Sequence, residues 1–158
     1  MIKNKRQIYI IVSWVAVLLW MLLIFSLSSQ VAEQSDKLSS GIANFIVKTI
    51  QKVTHNAEFD IKDLDHIVRK NAHFCVYLVL GVLVANALRR SRASGLRTFI
   101  FTIGICVLYA VSDEIHQIFV HGRGPGVIDV FIDSAGATIG LGIYMLVSKI
   151  VEKRNKKL

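Results

Sequence analysis

Apolar positions along this chain fall into four long blocks separated by polar or basic segments. Ile8–Leu27 runs twenty residues without a charge, enough for one helix across a hydrocarbon layer about 30 Å thick. Ala72–Leu88 is a second run, seventeen residues without Asp, Glu, Lys or Arg. Thr98–Ser112 is a third, and it reaches spanning length only if its helix continues through Asp113 to Val120. The fourth, Val127–Val147, is interrupted by Asp129 and Asp133. The pattern predicts an all-α fold: one domain over residues 1–158, an integral membrane bundle of four transmembrane helices at about 8–27, 72–88, 98–120 and 127–148.

Between the first two blocks the period changes. Leu38, Ile42, Phe45, Ile46, Ile50 and Val53 recur every three or four residues, with Ser39, Asn44, Lys48, Gln51 and Lys52 largely between them. This predicts an amphipathic helix over about residues 37–53, capped by Ser35 or Asp36, that lies on the outer membrane interface or forms a lid over the bundle.

The charge distribution supplies an orientation. The net charge of +8 would suit a nucleic-acid partner, but the placement of the charges argues for none. Lys3, Lys5 and Arg6 precede the first block, Arg89, Arg90, Arg92 and Arg97 crowd the second connection, and Lys149, Lys153, Arg154, Lys156 and Lys157 close the chain. Only Glu152 opposes these twelve, whereas the other two connections and their flanking span ends carry seven basic and ten acidic residues. The positive-inside rule places both termini in the cytoplasm of a multi-pass cell-membrane protein. The first block exceeds the 7–15-residue core of a signal peptide, so it reads as a retained anchor. Cys75 and Cys106 form no Cys-x-x-Cys pattern and read as small buried hydrophobes.

That orientation gathers the chemistry at the outer side. Tyr109, Asp113, His116 and Gln117 share a helical stripe at the end of the third span, with Glu114 about 100° round from Asp113. The glycine-rich turn His121–Gly126 carries Arg123 at its tip. Asp129 and Asp133 sit one turn apart on the fourth span, above Gly136 and Gly140, whose spacing permits close helix approach. Arg69, His73 and Tyr77 share a face at the start of the second span, and Ser28-Ser29-Gln30 leaves the first. Carboxylates about 10 Å below the external turn need compensation from His, Arg, a cation or water, and a polar cavity opening outward supplies it.

These residue types bound the chemistry. His73, Asp113, Glu114, His116, Asp129 and Asp133 are candidates for acid–base catalysis. Arg69, Tyr77, Gln117, Arg123 and Gln30 are candidates for holding a substrate, the arginines through a phosphate or carboxylate. If a divalent cation such as Zn²⁺ or Mn²⁺ is bound, His73, His116, Asp113 and Asp133 are its candidate ligands, although no His-Glu-x-x-His spacing is present. No Gly-x-Ser-x-Gly elbow is present either. The competing structural reading is an ion-pair network that only holds the helices together.

Arg69-Lys-x-Ala-His-Phe-x-x-Tyr77, Tyr109-Ala-x-Ser-Asp-Glu-x-His-Gln117, Gly122-Arg123 and Asp129-x-x-x-Asp133-x-x-Gly136 together resemble the VanZ-like family of small membrane proteins. The Ser28-Ser29-Gln30 exit fits as well, and His121 departs from the proline that many relatives place before Gly-Arg. The resemblance implies a cell-envelope role, linked by the family's name to low-level resistance to the lipoglycopeptide teicoplanin. It supplies no reaction. The resulting expectation is a protein acting on a membrane lipid or lipid-linked cell-wall precursor at the outer leaflet, by hydrolysis or group transfer if it is an enzyme. The alternatives are a non-catalytic binder of a lipid-tailed drug or precursor, and a small transporter or flippase component.

Overall fold

A computed structural model describes residues 2–29, 41, 61–93, 95–120 and 126–155. Four helices make up the described bundle: α1 (Ile2–Ser28), α2 (Ile61–Arg90), α3 (Leu96–Gln117) and α4 (Val127–Asn155). All four are long and apolar enough to cross a membrane, and no strand occurs among the described residues. The expected amphipathic helix at 37–53 lies outside the described residues, Gly41 excepted.

The helix limits differ from the apolar blocks for a physical reason. Hydropathy marks only the segment that lipid must solvate, while the hydrogen-bond ladder continues into the polar interface. Thus α2 begins eleven residues before Ala72, and α4 runs on to Asn155. The third span is the reverse case. Its helix closes at Gln117, and the N–H groups of Phe119 and Val120 turn back to the carbonyls of His116 and Gln117.

α2 is the central helix. It packs against each of the others, most extensively against α4, while α1 and α4 do not meet. α2 and α4 run parallel and close together: a Cβ on Gly136 or Gly140 would strike the backbone carbonyls of Phe74 and Leu78 respectively, and one on Gly81 would strike the backbone of Ala137. The interior combines small or polar residues (Ala85, Ala87, Ala110, Ala137, Thr98, Thr102) with Val17, Ile24, Leu80, Val84 and Leu141, while many large apolar side chains, such as Leu18, Leu22, Phe101, Leu108 and Phe131, face outward. An apolar perimeter with small residues at the helix contacts suits lipid as the solvent, because association there relies on close packing rather than on burying apolar surface. Cys75 belongs to the outward set. The expectation that both cysteines are buried therefore holds for Cys106 only, since Cys75 lies on the face of α2 turned away from its neighbours.

Between α2 and α3 the chain reverses within a few residues. Arg92 takes φ 70°, its N–H bonds the Arg89 carbonyl, and the Ala93 N–H bonds Leu88. This is the Schellman closure of a helix, with arginine where glycine is usual. The turn lies at the same end of the bundle as both termini. Trp14 reaches it by donating its indole N–H to Ser91 Oγ, 3.1 Å away.

A His–Asp–Asp cluster between three helices

At the end of the bundle opposite the termini, one residue from each of α2, α3 and α4 meets the others. A nitrogen of His73 and one carboxylate oxygen each from Asp113 and Asp133 all lie within 4.8 Å of one another. Asp133 is fully enclosed, at 0% exposure, and Asp113 is 3% exposed. The His73 Nδ1 to Asp133 Oδ2 distance is 3.7 Å, longer than a hydrogen bond. Parallel packing of α2 and α4 creates this pairing: the glycine contacts that bring their backbones together begin at Phe74 and Gly136, directly below His73 and Asp133.

Polar contacts from α1 support the α3 side. Gln117 Nε2 donates to Ser28 Oγ at 2.8 Å and lies 3.4 Å from Asp113 Oδ2. Ser28 is fully buried, so the small hydroxyl at the exit of α1 joins the network across 89 residues of sequence. Tyr77, one turn below His73, is also fully buried. Its hydroxyl lies within electrostatic reach of Asp113 and Asp133 and has no hydrogen-bond partner among the described residues. Tyr109 takes another direction, donating its hydroxyl to the Met21 carbonyl of α1.

Other candidates occupy separate positions. Glu114 is buried, and its Oε2 accepts the Gly126 N–H at 2.8 Å. Gly126 starts α4, since its carbonyl accepts the Asp129 N–H. A carboxylate there satisfies a donor at the positive end of a helix. Asp129 pairs with Lys70 at 3.5 Å, both about one third exposed. His116 turns to α1: its ring stacks on Phe25 at 4.4 Å between centroids, and Nε2 is 3.1 Å from Ser29 Oγ. The Ser29 hydroxyl also bonds the Phe25 carbonyl, so His116 is tied to the last turn of α1 by both its ring face and its Nε2. His116 is thus not one of the residues grouped with His73, Asp113 and Asp133. Arg69 is half-buried on α2. Gln30 and Arg123 lie outside the described residues.

Lys70 is the participant that residue spacing gave no reason to weigh individually, whereas Ser28 belongs to the exit already placed at this end. Lys70 is one position from Arg69, on a different face. Only the register of α2 against α4 selects it as the partner of Asp129.

The VanZ/LLP1 family model matches residues 13–148. The chain belongs to the VanZ/LLP1 family. No curated protein and no solved structure matches it. The match runs from α1 to α4, so all three cluster residues lie within the VanZ/LLP1 region. The family's name is linked to teicoplanin resistance.

Proposed function

We propose that this VanZ/LLP1 protein is a cell-envelope enzyme whose His73–Asp113–Asp133 site opens to the outer side of the membrane and acts on a phosphate-bearing amphiphile. The observation that carries this reading is the meeting of an imidazole with two buried carboxylates from three different helices. Helix packing in lipid relies on small residues and needs few ionisable groups. Here the glycine contacts below the cluster already bring α2 and α4 together. The basic termini and the Arg-rich turn, at the opposite end, favour the cytoplasm by the positive-inside rule.

The site's depth, about two helical turns below the start of α4, suits a headgroup whose acyl or prenyl chains remain in lipid. Arg69 and Arg123 hold the phosphate oxygens in this reading. His73, oriented by Asp133, takes a proton from an attacking water as the phosphate–alcohol bond breaks. That proton then passes to the leaving alkoxide. Tyr77 and Gln117 orient the bound group, and contribution to teicoplanin-type resistance follows from altered wall precursors or lipids.

The test is to incubate purified protein with extracted envelope lipids and follow products by mass spectrometry. A dephosphorylated or transferred product, absent with Asp133→Asn, is expected. A lipid retained unchanged would replace the enzyme by a binding protein. Movement of lipid between leaflets without a product would replace it by a transport component.

A further inference from the structure

We infer that His73, Asp113 and Asp133 bind one divalent cation of the Zn²⁺ or Mn²⁺ class. The inference deepens the reading above and rests on the same cluster, but it does not depend on which amphiphile is the substrate. Metal bonds to imidazole and carboxylate are about 2.0–2.2 Å long, so ligand atoms around one ion sit roughly 3–4 Å apart. The three donor atoms all lie within 4.8 Å of one another, and His73 and Asp133 are already 3.7 Å apart.

Three further features agree. Both Asp133 carboxylate oxygens are buried without a hydrogen bond among the described residues, and His73 lies 3.7 Å from one of them. A buried carboxylate in that position is costly unless a cation or donor reaches it. The Tyr77 hydroxyl is a further fully buried polar group, within electrostatic reach of Asp113 and Asp133 and without a hydrogen bond among the described residues. Gln117 bridges Ser28 to the Asp113 carboxylate, the kind of outer contact that orients a metal ligand. One imidazole and two carboxylates leave coordination positions open, the donor number of a catalytic rather than a closed structural site. A cation there would polarise a phosphoryl oxygen. On this inference His73 would hold the ion in place of the base role given to it above, and the ion would supply the nucleophile by making a bound water more acidic.

The test uses full-length protein in detergent, with the affinity tag removed, stripped by a chelator and then titrated separately with ZnCl₂ and MnCl₂. Bound metal is counted by mass spectrometry after removal of excess, with the melting temperature recorded in parallel. One ion per chain and a raised melting temperature are expected for the wild type. Asp133→Asn and His73→Gln should weaken binding by at least about tenfold, while Glu152→Gln, at the other end of the bundle, should not change it. If the ligand variants fail to fold, wild-type stoichiometry and its reversal by chelator decide. Less than one ion on folded wild type would overturn the inference, as would one ion persisting in both ligand variants. Lipid turnover by fully metal-free protein would overturn the ion's part in the reaction and leave its binding to the titration. A stoichiometric ion without turnover would overturn only the enzymatic reading.

Discussion

Trp20 donates its indole N–H to the Val76 carbonyl of α2 at 2.9 Å, and in hydrocarbon such a donor has no water to fall back on. Trp20→Phe should therefore destabilise the protein by about 1 kcal/mol, read as a lower melting temperature in detergent. Trp14→Phe should cost less, since its Ser91 partner is exposed. The sequence displayed both tryptophans inside a span but offered no way to pair them. The same limit applied to the candidate site. Helical spacing put Asp113 and His116 on one stripe, and along the chain they are. Yet the arc between them is wide enough for two neighbours, so Asp113 turns to α2 and α4 while His116 turns to Phe25 and Ser29 of α1. Spacing along one helix was legible, and the angle at which the next helix crosses was not. Glu114 is a second case: its tie to the Gly126 N–H depends on where α4 restarts after the turn.

At the scale of elements, the α2–α4 contact sets the His73–Asp133 distance. Its glycines were readable, because Gly136 and Gly140 at four-residue spacing on a membrane helix signal close approach. Their partners, the backbone at Phe74 and Leu78, were not. Gly140→Leu should force the helices apart at about 1–3 kcal/mol and displace Asp133 from His73. Gly142→Ala should be close to neutral, since nothing lies within 4 Å of a Cβ there. Melting curves of the two variants provide the check, and equal losses would mean that α2 and α4 are not held by this contact. The four helices themselves were the most legible feature, because long, mostly apolar blocks have few other solutions. Their ends were less so, since polar residues continue the helix without leaving a hydropathy signal.

For the whole molecule, the polar cluster and the chain termini occupy opposite ends of a bundle with an apolar perimeter. The basic residues favour the terminal end as cytoplasmic. A C-terminal reporter should then read cytoplasm, and a cysteine at position 122, with Cys75 and Cys106 replaced, should react with an impermeant reagent from outside intact cells. Reaction only after lysis would reverse the orientation. The claim that matters most is that Asp133 is kept for chemistry and not for helix packing. Asp133→Asn separates the two at nearly constant volume, because it removes a buried charge without opening a cavity. The direct measurement is product formed from envelope lipid per folded molecule of Asp133→Asn, beside the wild type. Turnover lost, with the melting temperature of the chelator-stripped variant equal to or above that of the chelator-stripped wild type, is the predicted result. Turnover retained, or lost only in proportion to a fall in melting temperature, would contradict it.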